Sequence, residues 1–258
     1  MALVTGAGGG LGGAIAELFA TEGAVVAVND VRGDAAAAVA ERCRSASPDS
    51  YPLVADVADP GSVRQMFEEV ERRWGRLDVL VNNAGVSATA DVPPARHGDG
   101  ETPLPHERGV EGITDDQWRR MLGVHLDGTF FCTRAAVPIM KRQASGSIVC
   151  MSSIAGTAGF GPVHYSAAKG GILGFVRSVA RIVGPSGIRI NAVCPGAIDA
   201  GMTHAHPVEV RQSIVPAIPQ RRLGTALDIA YAALYLASDE SAYTTGQYLS
   251  PNGGLVIT

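Results

Sequence analysis

Tyr165 and Lys169 stand four residues apart in the run Tyr165-Ser-Ala-Ala-Lys169. On a helix, positions i and i+4 share a face, so an ammonium can sit beside a phenolic oxygen. A free tyrosine ionises at about pH 10, too high for ready proton exchange under neutral conditions. A neighbouring cation favours the phenolate and lowers that value, which makes the pair a potential general acid/base. The same spacing also describes an ordinary solvated helix face. The elements around the pair must decide between the two.

Those elements alternate. Short apolar or β-branched runs at 3–5, 25–29, 51–55, 79–82, 147–152, 189–194 and 247–250 are separated by amphipathic stretches at 12–22, 34–45, 61–74, 114–142, 163–183 and 225–238. Nearly continuous apolar strands of this kind belong to parallel β-α-β units covered on both faces. Right-handed crossovers then predict a single-domain, Rossmann-like doubly wound parallel β-sheet with helices on both faces, spanning residues 1–258. Residues 86–113 and 197–224 break the rhythm. The first contains Pro93, Pro94, Pro103, Pro105, His97 and His106, and the second Pro207, Pro216 and Pro219. Both leave strand carboxyl ends, where ligands bind in such folds, so a loop insertion over the substrate entrance and a substrate lid are expected.

The chain opens Leu3-Val-Thr-Gly6-Ala-Gly8-Gly9-Gly10-Leu11-Gly12, a strand entering a glycine turn and then a helix. Gly6, Gly10 and Gly12, with Leu11 between them, form a candidate phosphate cradle. Glycines let backbone approach a pyrophosphate, and the helix N-terminus supplies donors and a positive dipole end. Asp30 closes the second strand. A carboxylate there can accept from the adenosine ribose hydroxyls and repel a 2′-phosphate, so NAD is expected in preference to NADP. Arg32 lies close by and could soften that discrimination; Asp34 reads as a helix cap.

The 258 residues are 46% hydrophobic with a formal net charge of −4 and no basic run, which argues against nucleic-acid binding. No apolar run has membrane-spanning length and no signal-peptide pattern is read at the N-terminus. Cys43, Cys132, Cys150 and Cys194 are scattered without a CxxC pair, so free thiols in a reducing cytoplasm are expected and a zinc site is not.

In order, Thr5-Gly6-x3-Gly10-x-Gly12, Asp56-Val57, Asn82-Asn83-Ala84-Gly85, Ser152-Ser153, Tyr165-x3-Lys169, Pro195-Gly196 and Thr245-Gly246 resemble the short-chain dehydrogenase/reductase family over nearly the whole chain. The resemblance implies that Asp56 and Val57 border the adenine, and Asn83, Ala84 and Gly85 the adenosine side. Pro195 and Gly196 would lead into the nicotinamide pocket, with Ile198 near the carboxamide. Tyr165 would exchange a proton with an alcohol or carbonyl oxygen, and Lys169 would lower its pKa and hold the nicotinamide ribose. A serine hydroxyl would hold the substrate oxygen, and no metal is implied. Family spacing to the tyrosine selects Ser152, whereas the local Ser-x-x-Gly pattern ending at Gly156 selects Ser153 and implies a shortened loop 157–164. Ser153 is the expected residue.

His125 stands where the family commonly has an asparagine linked through water to the lysine. It reads either as a proton-relay member or as a helix-packing histidine. Ala200 occupies the place of a cofactor-touching threonine, with Thr203 as a substitute, and Asn252 replaces an acidic residue. The expected activity is hydride transfer between NAD and a small or medium, fairly apolar secondary alcohol or ketone. The alternatives are a 3-oxoacyl (ACP or CoA) reductase or hydroxyacyl dehydrogenase, for which Arg221-Arg222 is the suggestive basic pair, and a nicotinamide-sensing protein without turnover. The last would be free to lose Ser153, Tyr165 and Lys169, yet all are present. The resemblance also implies a homotetramer or homodimer joined through 114–142, 163–183 and C-terminal segments. The apolar tail 254–258 fits such an interface or a core strand equally well.

Overall fold

A computed structural model describes residues 1–87, 110–201 and 208–257. Strands β1 (Ala2–Val4), β2 (Val26–Asp30), β3 (Tyr51–Val54), β4 (Val79–Asn82), β5 (Gly146–Met151), β6 (Ile188–Val193) and β7 (Tyr248–Leu249) form one sheet in the order β3-β2-β1-β4-β5-β6-β7. All neighbouring pairs are parallel. The strand order reverses between β1 and β4, so the connections leave in opposite directions there and open a crevice at the carboxyl ends.

Side chains alternate along each strand, and both sheet faces are apolar. Leu3, Ala27, Leu80, Ile148 and Ile190 feed the layer under α3 (Pro60–Trp74), α5 (Gly128–Gln143) and α7 (Val163–Val183). Val4, Val28, Val81, Val149 and Val193 feed the layer under α1 (Gly10–Thr21), α2 (Gly33–Arg44) and α9 (Ala226–Ala237). Two covered faces explain why the strands read as continuous apolar runs. Each fully buried Leu, Ile or Val contributes about 1.5–3 kcal/mol, so the strand ends that carry the site rest on a stiff base.

Helix starts follow local chemistry. Asp59 accepts from Gly61 N and Ser62 N at the head of α3, with Pro60 in its first turn, and Thr225 and Asp228 form a capping box for α9. Among the described residues no side chain caps α1, α2 or α7: Gly9 precedes α1, and Asp34, expected as a cap, lies inside the first turn of α2, whose N-cap position is Arg32.

The stretch 114–142 is not one regular helix. α4 (Asp115–Leu122) passes through a π-helical turn, Gly123–Asp127, into α5. The hydroxyl of Thr129 donates to the carbonyl of His125 at 2.7 Å inside this turn. Apolar periodicity does not register one wide turn between two regular helices. α6 (Ile154–Ala158) and α8 (Val208–Ser213) are too short to show a period and were not expected.

Of the expected insertion 86–113, residues 88–109 lie outside the described residues, with Pro93, Pro94, His97, Pro103, Pro105 and His106. So do residues 202–207 of the lid, with Thr203 and Pro207. The tail is not a core strand. Beyond β7 the chain turns, and Ile257 is 88% exposed. Asn252 organises that turn: its amide donates to Ser250 Oγ and Val256 O, both at 2.9 Å, and its Oδ1 accepts from Gly254 N at 2.9 Å. An aspartate could not donate, which gives the departure at 252 a structural reason.

The four cysteines are free and buried. Among the described residues no helix is long and apolar enough to cross a membrane.

Candidate active site

The glycine turn is built where β1 ends. Gly6 has φ 59°, and a Cβ there would lie 2.6 Å from Ala84 Cα, so only glycine lets the turn close against the end of β4. Thr5 Oγ1 accepts from the backbone N–H groups of Asn83 and Ala84 at 3.0 and 3.1 Å. The Asn83 amide donates to Thr5 O and Gly6 O at 2.9 and 3.0 Å. Its side chain therefore braces the turn. Gly10, Leu11 and Gly12 begin α1, whose uncapped first turn leaves N–H donors and the positive dipole end for an anion.

β2 delivers Asp30 beside this turn. One carboxylate oxygen accepts from Gly8 N at 2.9 Å, and the other from Arg32 N at 3.0 Å. The Arg32 guanidinium approaches the second oxygen at 3.4 Å but is mostly exposed, so the ion pair is weak. Val57 is buried. Asp56 is exposed, and its carboxylate accepts from Ala58 N at 2.9 Å.

At the end of β5 the two serines part. Ser152 is buried and donates to the carbonyl of Lys169 at 2.8 Å, tying β5 to α7. Ser153 heads α6, where its Oγ accepts from Ala155 N at 3.1 Å, and its hydroxyl lies near enough to the Tyr165 phenol to act on its ionisation. A Cβ on Gly156 would lie 2.6 Å from the Lys169 carbonyl carbon, so the glycine of the Ser-x-x-Gly pattern lets α6 pack on α7 at this level. The Ser153 register brings a hydroxyl to the tyrosine; the Ser152 register does not.

Lys169 is 3% exposed. Its ammonium donates to Met151 O at 2.6 Å and lies 5.6 Å from the centroid of the Tyr165 ring. Burial pulls its pKa down to about 8, with Cys194 and Cys150 opposing weakly. Burial also raises the Tyr165 phenol above its ordinary value, opposed by the nearby Ser153 hydroxyl. The phenol therefore stands above its ordinary value even with Lys169 beside it. The ammonium is turned to a β5 carbonyl, and desolvation is the largest effect.

A buried ammonium is costly to the fold. Replacing a buried charge by an apolar side chain of similar size is often neutral or stabilising by about 1–4 kcal/mol. Lys169→Met is accordingly expected to leave the Tm at neutral pH unchanged or raised, while turnover falls by at least about 100-fold. Calorimetry and initial rates on the same preparation check it; a large drop in Tm with activity retained would contradict it.

His125 lies in the π-helical turn, 1% exposed, with its ring edge-on to Tyr165 at 5.4 Å. Its Nε2 is 3.1 Å from Val86 N and 3.0 Å from Val86 O. Burial first, and the charge of Lys169 second, hold its pKa at about 3, so the ring is neutral. Four partners at the centre escaped the sequence reading: the Met151 carbonyl, the Val86 peptide, His164 and Cys194. His164 is buried, which lowers its pKa. Cys194 lies beside Ser152 and Ser153, and burial raises its thiol pKa. Their adjacency in sequence to Tyr165 and Pro195 was the available signal.

The segment after β6 closes the other side. Pro195 O accepts from Ile154 N at 3.1 Å, and Gly196 N donates to Pro251 O at 3.1 Å. Ile198 is buried and bridges to Gly224. A Cβ on Gly10 would lie 3.1 Å from Gly201 Cα, so this segment meets the glycine turn. Asp199 is paired with Arg211 of α8. Arg222 pairs with Asp228 at 2.7 Å and Arg221 donates to Pro216 O at 2.6 Å, so that basic pair serves its own turn.

A family model described as enoyl-(acyl carrier protein) reductase matches residues 6–256. The 3-oxoacyl-[acyl-carrier-protein] reductase FabG of Staphylococcus aureus is 38% identical over 258 residues, covering 99% of this chain and 98% of that protein. The enzyme of the same name from Escherichia coli K12 is 35% identical over 258 residues, covering 100% of this chain and 97% of the relative. A crystal structure of levodione reductase matches with a TM-score of 0.88 at 31% identity, covering 98% of this chain and 96% of its own.

Proposed function

The chain belongs to the short-chain dehydrogenase/reductase family, and on that premise we propose that it is an NADH-dependent reductase of ketones, acting in reverse as a secondary-alcohol dehydrogenase. The observation that carries this reading is Ser153 beside the Tyr165 phenol, with Lys169 one turn further along α7, at the carboxyl ends of the central strands.

The glycine turn suits a dinucleotide. A side chain at Gly6 would clash with β4, α1 begins without a cap, and the Asp30 carboxylate stands beside the turn. Gly6, Gly10, Leu11 and Gly12 would hold the pyrophosphate and Asp30 the adenosine ribose. Asp56 and Val57 would border the adenine, with Asn83, Ala84 and Gly85 on the adenosine side. Tyr165 and Lys169 would hold the nicotinamide ribose, and Pro195, Gly196 and Ile198 the nicotinamide. When bound, the reduced nicotinamide supplies hydride to the carbonyl carbon.

The protein's own residues handle the proton and the charge. Ser153 orients the substrate oxygen, and Tyr165 donates its proton to that oxygen as negative charge develops there. Burial keeps the phenol protonated, so the proton it donates is in place near neutral pH. The Lys169 ammonium stabilises the phenolate left behind, an interaction stronger in the transition state than in the ground state.

A second reading, reduction of a 3-oxoacyl thioester, is favoured by the names of the relatives, since a 3-oxoacyl group carries a ketone open to the same chemistry. Initial rates with simple ketones, diketones and 3-oxoacyl thioesters, each with NADH and NADPH, test both. Turnover with NADH is expected. Hydride transfer to none of these carbonyls would sink the proposal, and strong preference for the thioester would select the second reading. Exposed Trp118, Phe130 and Ile182 on α4, α5 and α7 fit the expected homo-oligomer; a monomeric sedimentation coefficient would rule it out.

A further inference from the structure

We infer that His125 is a positioning residue for Tyr165, acting through the packing of its ring and not by carrying a proton. The inference rests on the reading of Tyr165 as the acid.

The ring is locked on several sides. It meets Tyr165 edge-on, with an interplanar angle of 83°. A Cβ on Gly85 would come within 2.4 Å of its Cε1 and 3.0 Å of its Nδ1, so the end of β4 presses on it directly. The π-helical turn sets the backbone from which it projects, and Thr129 holds its carbonyl. His125 thereby joins the chain leaving β4 to the ring of the acid.

The hydrogen bonds argue against proton carriage. A proton carrier needs an exchangeable partner at each nitrogen. Among the described residues Nε2 reaches only the peptide group of Val86. With the proton on Nδ1, Nε2 accepts from Val86 N; with the proton on Nε2, it donates to Val86 O. In both tautomers this end of the ring terminates on a peptide, which neither gives nor takes a proton at working pH. Among the described residues Nδ1 is buried without a hydrogen-bond partner. The titratable groups acting on the ring are Lys169 and His164 from α7, and burial together with the Lys169 charge keeps it neutral.

His125→Phe and His125→Asn separate the two roles, because phenylalanine packs but cannot move a proton. The Phe variant is expected to keep kcat within about threefold of wild type, with KM values, pH profile and solvent isotope effect unchanged. The Asn variant, which can still bond Val86 but lacks the ring, is expected to lose about 10- to 100-fold in kcat with little change in KM. A Phe variant as impaired as the Asn variant, or one with an altered pH profile, would overturn the inference. As a second measurement on the unmutated protein, imidazole 15N NMR from about pH 5 to about pH 9 should show one neutral tautomer of His125 throughout. A resonance that titrates in that range, or changes tautomer when NADH is added, would overturn it as well. The NMR readout needs no turnover, so failure here is distinguishable from failure of the functional reading.

Discussion

Tyr165→Phe is expected to lower kcat for ketone reduction by about a thousandfold, a loss of about 4 kcal/mol of transition-state stabilisation. The phenyl ring preserves the edge-on contact with His125, so the fold and the affinity for NADH should change little. The pH dependence of the wild type follows from the same groups. Reduction needs the neutral phenol, which burial favours, and the Lys169 ammonium, whose pKa is about 8. The protonated forms are the active ones, so reduction should be level through neutrality and decline as pH rises through about 8. Alcohol oxidation needs the phenolate, whose pKa burial holds above the ordinary tyrosine value, so it should gain only at pH values above that range. His125 and His164 are both shifted down by burial, so no acidic limb from an ordinary imidazole is expected. Initial rates in both directions against pH, with NADH titrated by fluorescence, check these statements. A variant within a few-fold of wild type would remove Tyr165 from the chemistry.

Asp30→Ser should reduce the preference for NADH over NADPH by about 100- to 1,000-fold, since juxtaposed like charges in a poorly solvated site cost several kcal/mol. The Asp30 side chain is 11% exposed, so a 2′-phosphate brought beside it would be little screened. Removing the carboxylate also releases the Arg32 guanidinium to attract that phosphate. Efficiency with NADH should fall too, because Asp30 accepts from Gly8 N and helps shape the glycine turn. The ratio of kcat/KM for the two cofactors is the readout. Equal ratios in wild type and variant would dismiss Asp30 as the discriminating group.

The legible parts of the site are those whose chemistry is local. A glycine turn between a strand and a helix needs only its own residues to be recognised, and so does a carboxylate at a strand end. Tyr165 and Lys169 share a helix face by spacing alone. What could not be read depends on partners far away in sequence. Ser152 and Ser153 are equivalent until α7 packs on α6, when one bonds the Lys169 carbonyl and the other comes beside the Tyr165 phenol. The Asn83 amide looked free for a ligand, but it holds Thr5 O and Gly6 O. The π-helical turn at His125 was hidden because one wide turn barely disturbs the apolar period of the helices on either side.

The sequence by itself determined the sheet and named the glycine turn, Asp30, Tyr165 and Lys169 as candidates, because strand alternation, turn chemistry and i,i+4 spacing are properties of short segments. Only the tertiary structure decided how those groups are poised. Burial sets the protonation of Tyr165, Lys169 and His125, and hydrogen-bond partners from β4, β5 and α6 set their direction. Desolvation and distant partners are produced by packing, and no stretch of residues carries them in advance.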